Sequence, residues 1–152
     1  MKLSTKGRYG LRAMIDLALY SEEEAVSIQS ISGRQNISVS YLEQLMGKLR
    51  RAGLVTSVRG AMGGYRLAKP AAEISVGDVL RALEGDLQAV ICPGNDSENG
   101  CEGADQCVAR FVWKKINDSI TQAVDSVMIG QLVEESRKIK GNCESSPQIC
   151  DN

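Results

Sequence analysis

Three cysteines dominate the chemistry this sequence could perform. They stand as Cys92-(8)-Cys101-(5)-Cys107, with intervening residues counted in brackets, in the stretch CPGNDSENGCEGADQC. Gly, Asp and Asn fill the intervals, too polar for a strand and too broken for a helix. A free cysteine is often a small buried hydrophobe, but this loop offers almost nothing apolar to be buried with. Three thiols in a polar loop suit a soft metal or an iron–sulphur site. The chain has 5 cysteines in all, the other two being Cys143 and Cys150 in the aperiodic tail GNCESSPQIC, which is expected to be mobile. The start MKLSTKGRYG lacks the apolar stretch of a signal peptide, and no apolar run approaches the length of a membrane helix. A reducing, cytoplasmic setting is therefore expected, with the thiols free for metal or redox chemistry and no disulfide framework.

The elements around this loop have to position it. Net charge is only -1 over 152 residues, but its halves differ. Residues 1–70 carry 11 Lys/Arg against 5 Asp/Glu, and residues 71–152 carry 7 against 14. A basic front and an acidic back fit a nucleic-acid-binding module joined to a regulatory part.

Hydrophobic periodicity divides the front into short helices. Leu11, Met14, Ile15, Ala18 and Leu19 recur at helical spacing between Tyr9 and Tyr20, leaving Arg8 and Arg12 on a wet face. VSIQSISGRQN holds a second helix with Ile28 and Ile31 inward. Ser38 is placed to cap a third, SYLEQLMGKLRRAG, whose inner stripe is Leu42, Leu45, Met46 and Leu49 and which Gly53 closes. Gly47 within it suggests close packing against another helix. Two strands, Leu54–Val58 and Tyr65–Leu67, are joined by RGAMGG, where glycines permit a tight turn flanked by Arg59 and Arg66.

That order predicts a mainly α fold with a small β-hairpin: a winged helix-turn-helix domain over residues 1–84. The third helix would enter the major groove of double-stranded DNA with Ser40, Tyr41 and Gln44 nearest the base edges. The wing would lie along the backbone or in the minor groove, where an arginine gains from the negative potential. The candidate DNA-facing residues are Lys6, Arg8, Ser38, Ser40, Tyr41, Gln44, Lys48, Arg51, Arg59, Gly60, Gly64 and Tyr65. Glu43 stands on or near the same face, where it would repel phosphate or accept from a cytosine amino group.

Behind the hairpin, AAEISVGDVLRALEG reads as a fourth helix capped by Ser75, with Val76, Val79, Leu80 and Leu83 inward. The cysteine loop occupies residues 85–107. A long helix is expected from Asp105 to about Val127 and a short terminal helix over IGQLVEESRKIK, placing the dimerisation segment at 108–139 and a flexible tail at 140–152. Trp113, Ile116, Ile120, Val124 and Val127 form a stripe longer than a compact winged domain needs. The same helix of a second chain would bury it, and a two-fold homodimer would present two reading heads to a pseudo-palindromic operator.

The blocks LSTKGRYGLRAM and ISVSYLEQLMGKLRRAGLVTSVRGAMGGYRL, with Cys92, Cys101 and Cys107 followed by Trp113, resemble the bacterial IscR-type regulators over roughly residues 1–138. These are dimeric winged-helix transcription factors, several of which bind an iron–sulphur cluster. The resemblance implies a repressor or dual regulator of iron–sulphur cluster assembly genes, with a [2Fe–2S] cluster on the three cysteines and a DNA preference that follows cluster occupancy. In the best-known members a histidine three residues after the last cysteine completes the site. Here that position is Arg110, which cannot be a ligand at ordinary pH, and the chain has no histidine. The interval between Cys92 and Cys101 is also longer than usual. The open candidates for the fourth ligand are Cys143, Cys150, Glu98, Glu102, Asp105 or a residue of a partner chain. Related nitric-oxide sensors take an aspartate from near the partner's N-terminus, but the matching position here is Arg8.

The alternative within this class is a nitric-oxide or thiol-redox sensing repressor, including a regulator of cysteine or sulphur metabolism. An enzyme or electron carrier is disfavoured, because the sequence lacks histidine, a cofactor fingerprint and paired carboxylates in a recognisable context. A non-DNA adaptor that dimerises through the long helix would leave Gln44 and Arg59 without a role.

Overall fold

The computed structural model describes residues 2–95 and 100–145, with 142–145 as backbone only. The first helix, α1 (Thr5–Tyr20), begins a turn earlier than apolar spacing suggests. Its start is fixed from outside by Glu84, whose Oε1 accepts from the backbone N–H of Ser4 and of Gly7, each at 2.9 Å, and from the Ser4 hydroxyl at 2.6 Å. Helix N-termini leave unpaired N–H groups, and a carboxylate suits both their hydrogen bonds and their dipole. The glycines that obscured this turn in the sequence let α1 approach α4 (Val76–Glu84): a Cβ on Gly10 would collide with the Leu83 side chain.

The next two helices are each capped by a serine, of which only Ser38 was expected. Ser27 Oγ accepts from Ser30 N at the start of α2 (Ile28–Gln35), and Ser38 Oγ accepts from Tyr41 N at the start of α3 (Val39–Arg51). Asn36 ends α2 in the left-handed conformation that asparagine tolerates. Leu42, Leu45, Met46 and Leu49 of α3 are buried as expected, against Met14 and Leu17 of α1 and Ile31 of α2 in one core. A Cβ at Gly47 would meet nothing, so close helix packing does not explain that residue.

Strands β1 (Val55–Val58) and β2 (Gly64–Leu67) pair antiparallel in the register Val55↔Leu67 to Val58↔Gly64. Val26 adds a third edge: its N–H donates to Tyr65 O at 2.9 Å and its carbonyl accepts from Tyr65 N at 2.8 Å. Residues Ala71–Glu73 form a separate 3-10 turn, and the fourth helix starts after Ser75, the cap expected for it. Ser75 and Asp78 form a capping box, each side chain accepting from the other's backbone N–H at 3.0 Å.

Helix α5 (Ala109–Asp125) starts later than Asp105, because residues 101–107 are taken up by successive turns, including Ala104 N to Cys101 O at 2.9 Å. Helix α6 (Ile129–Ser145) runs into the expected tail, so residues 141–145 are helical. Buried Ile129 and Val133 seat α6 on the core, while Arg137 pairs with Glu22 and Lys140 Nζ donates to Tyr20 Oη, each at 2.6 Å. No helix among the described residues is long and apolar enough to cross a membrane.

One ion pair inside this frame was not anticipated. Asp16 is 1 % exposed, and Arg34 of α2 grips it with a fork, Nε to Oδ2 at 3.0 Å and Nη2 to Oδ1 at 2.7 Å. Gln35 donates a further bond to Oδ2 at 2.8 Å, so the buried charge is paired and hydrogen-bonded.

The Glu84 clamp has a pH consequence. The Ser4 hydroxyl bond foremost, then the Gly7 and Ser4 N–H bonds, outweigh desolvation and hold the Glu84 carboxyl below its ordinary value. Its stabilising contribution is present above the ordinary carboxylate pKa and is lost as pH falls through the lowered folded-state value. Urea unfolding at a series of pH values is expected to give a shallower acid-side decline for Glu84→Gln than for the wild type.

Candidate nucleic-acid interface and cysteine loop

The outer face of α3 is set by the burial of its inner one. Ser40, Glu43, Gln44 and Arg51 project from the side opposite Leu42, Leu45 and Leu49, and all four are exposed. Gly47 falls in the same stripe and leaves the helix backbone bare at its middle. Ser40 and Gln44 make no side-chain hydrogen bond to any described residue, whereas Arg51 Nε reaches back to Gly47 O at 3.3 Å. On the wing, Arg59 and Gly60 are exposed, and the Arg59 side chain has no partner among the described residues. Lys6 and Arg8 are exposed on the first turns of α1.

Other candidates have work inside the fold. Ser38 is the α3 cap. Tyr41 turns back to α1, its ring edge-on to Tyr9 with centroids 6.1 Å apart and its hydroxyl 3.3 Å from Thr5 Oγ1. Lys48 Nζ donates to Leu83 O at the end of α4, at 3.3 Å. Gly64 and Tyr65 lie in β2, where Tyr65 carries the bridge to Val26. Arg66 is likewise engaged, donating to Glu23 O on the loop after α1 at 3.1 Å. Arg50, which sequence reasoning passed over, is exposed and spans from α3 to Ser57 Oγ of β1 at 3.5 Å, tying helix to wing. Its place in the basic last turn beside Arg51 was the available signal.

The cysteine loop follows directly from the end of α4. Cys92 is half-buried, while Cys101 and Cys107 are exposed, and all three are free thiols. Cys92 opens the short 3-10 turn Pro93–Asn95 and lines a groove of about 610 Å³ with Ile91, Lys114 and Asn117. Asn117 of α5 anchors the approach to it, accepting from Ala89 N at 2.9 Å and donating to Val90 O at 2.8 Å. Nothing in the sequence pattern had marked that asparagine. Cys107 lies just before α5, whose first turn has no side-chain cap.

The donor chemistry of the set fits a soft metal: three free thiols from one polar loop. Their placement is looser. Among the described residues, no group of three Cys, Asp or Glu side chains is gathered closely enough to hold a metal ion. Glu102 and Asp105 are exposed on the turns between Cys101 and Cys107. Glu98, Cys150 and the Cys143 side chain lie outside the described residues.

Helix α5 contains no buried residue in the single chain. Ile116 is exposed, Trp113, Ile120 and Val124 are half-buried, and Val112 beside them is 51 % exposed. Its C-terminal end is pinned to the reading head: Asp125 pairs with Arg81 of α4, and Val127 O accepts from Val76 N at 2.8 Å. Val127 is thus engaged by its own chain, and the open part of the stripe lies nearer the cysteines.

A helix-turn-helix followed by a two-stranded wing, with an exposed polar stripe on its second helix, defines a winged-helix DNA-binding protein. Comparison with known proteins sharpens the class. The family model described as "Rrf2: Iron-dependent Transcriptional regulator" matches residues 3–135. The chain is 45 % identical over 133 residues to the HTH-type transcriptional regulator IscR of Cronobacter sakazakii, covering 88 % of this chain and 80 % of that protein. Two solved structures are similar throughout. CymR, the global cysteine regulator of B. subtilis, gives a TM-score of 0.73 at 41 % identity, with 89 % of this chain and 98 % of that one covered. T. potens IscR gives 0.70 at 43 % identity, with 90 % and 88 % covered. The chain belongs to the Rrf2 family and is an IscR-type DNA-binding transcriptional regulator, not an enzyme.

Thiol exposure sets an order that can be measured. In metal-free, reduced protein, iodoacetamide is expected to modify Cys101 and Cys107 ahead of Cys92, read by peptide mass mapping over time. Equal rates at all three would show that the groove does not shelter Cys92.

Proposed function

We propose that this protein represses iron–sulphur cluster assembly genes from the cytoplasm. As a homodimer it would bind a pseudo-palindromic operator, and a cluster held by Cys92, Cys101 and Cys107 would set that binding. The observation that carries this reading is the position of the three thiols, on a loop that leaves the end of α4 and re-enters the fold at α5. When bound, a cluster supplies a redox- and iron-sensitive crosslink between the thiolates that ligate it. The chain's own residues do the rest. Gathering Cys92, Cys101 and Cys107 draws in the loop between α4 and α5. At the end of α4, Glu84 holds the start of α1 and Leu83 O holds Lys48 of α3. A change of strain there reaches both Lys6 and Arg8 on α1 and the reading stripe on α3. A cluster held by Cys92, Cys101 and Cys107 would then favour whichever placement of the heads lets the three thiols gather more easily.

On DNA, Ser40 and Gln44 are assigned to base edges in the major groove, with Ser38, Tyr41 and Gly60 close to the backbone path. Lys6, Arg8, Lys48, Arg51 and Arg59 supply positive charge, and Gly64 and Tyr65 fix the wing. Helix α5 is assigned as the dimer contact through Trp113, Ile116, Ile120 and Val124, with Val127 at its margin. The exposed apolar stripe supports this, since a second copy would remove it from water. On the selected operator, Gln44→Ala should cost about 1–3 kcal/mol and relax sequence preference, while Arg59→Ala should weaken all sequences alike and reduce the salt slope by about one.

A second reading has its own support. The chain has no histidine, the thiols are not gathered among the described residues, and the likeness to a cysteine regulator is as full as that to IscR. It makes the same protein a nitric-oxide or thiol-redox sensing repressor, including one of cysteine and sulphur metabolism, in which the cysteines react with the signal. Anaerobic purification with iron and sulphide analysis separates the two. Iron and sulphide in the wild type, lost in Cys107→Ala, are expected from the cluster reading. Protein free of both, whose operator binding responds only to thiol oxidants, would replace it with the second.

A further inference from the structure

Among the described residues of the reading head, the most exposed large apolar side chain stands at the tip of the wing. Met62 is 75 % exposed, and Val58 at the end of β1 is 39 % exposed. A lone exposed apolar residue is ordinary on a protein surface. The position of this one is not. It sits three residues beyond the unpartnered Arg59, on a turn whose shape is fixed. Gly63 N donates to Gly60 O at 3.0 Å, and a side chain on Gly63 would run into the carbonyl oxygens of Val58 and Gly60. The tip also walls a cleft of about 320 Å³ whose other side includes Ser27 and Ser30 at the N-terminal end of α2 and Arg34 in its last turn. The first helix of a helix-turn-helix crosses the DNA backbone, so this cleft opens towards the edge of a bound duplex. Glu24, the one carboxylate lining it, stands on the loop after α1 and confines a phosphate path to the Ser27 side.

We propose that Met62 is a DNA-contacting residue, entering the minor groove beside Arg59 as an apolar wedge that bends the duplex and favours a flexible step there. Methionine is among the side chains that act in this way. Pyrimidine–purine steps unstack most readily, so they would be selected beneath it although no base edge is read. This rests on the DNA-reading assignment above and adds a specificity-determining residue to it.

The test starts from a random pool of double-stranded DNA. Full-length wild type, Met62→Ala, Met62→Leu and Arg59→Ala each select from the pool. Affinity, salt dependence and bending are then measured on the duplex the wild type enriches. Met62→Ala is expected to bind about tenfold more weakly, bend the duplex less, and lose the flexible-step preference flanking the α3 site. Its salt slope should be unchanged, because no charge is removed. Met62→Leu should restore most of the affinity and bend. Because Met62 is exposed, unchanged urea unfolding midpoints check that all variants are folded. Arg59→Ala losing affinity while Met62→Ala matches the wild type would overturn the wedge and leave the DNA-reading assignment standing. Leucine failing to restore would also overturn it. No effect from any of the three would overturn both.

Discussion

The contact between α1 and α4 is the constraint on which the rest of the molecule depends. Gly10 lets α1 settle over Leu83, and Glu84 takes the N–H groups of Ser4 and Gly7 at the start of α1 with one carboxylate oxygen. From the same turn, Leu83 O takes the Lys48 ammonium of α3. The end of α4 is therefore a joint between the first helix, the reading helix and the cysteine loop. A bonded carboxylate at a helix start fixes position more sharply than apolar packing alone, which tolerates small slides. Losing the joint would unfasten the loop from both DNA-facing helices together.

The second organising device is at the opposite edge of the head. Asp16, Arg34 and Gln35 bind α1 to α2, while Lys140 and Arg137 bring α6 onto Tyr20 and Glu22. The reading head is held at one edge by α4 and at the other by α6, while α5 between them contains no buried residue. The head is thus packed on both sides, and α5 is left open.

Local features were legible in the sequence, and long-range ones were not. Ser38 and Ser75 announced helix starts because a cap bonds to an N–H three residues ahead. Leu42, Leu45, Met46 and Leu49 announced a buried face because its period is that of the helix. The wing followed from glycines between two short strand patterns. Glu84 gave no such signal: its partners, Ser4 and Gly7, lie 80 and 77 positions away. Asp16 gave no signal either, because Arg34 and Gln35, which hold it, come from the next helix, 18 and 19 positions on. Gly47 invited a packing role, yet it is simply open. In the candidate site, the cysteines and the exposed α3 stripe were readable by type and spacing. The inward turn of Tyr41 and Lys48 was not, because each depends on a helix elsewhere in the chain.

Coupling between thiol ligation and DNA reading is the central claim. It is tested most directly by titrating one anaerobic preparation against its selected operator before and after the iron is removed by chelation, at fixed salt and with the protein kept reduced. A change in operator affinity or site preference on iron removal, reversed by reconstitution, is predicted. Identical binding curves in the two states would contradict it, leaving a DNA-binding regulator whose three cysteines serve some other role.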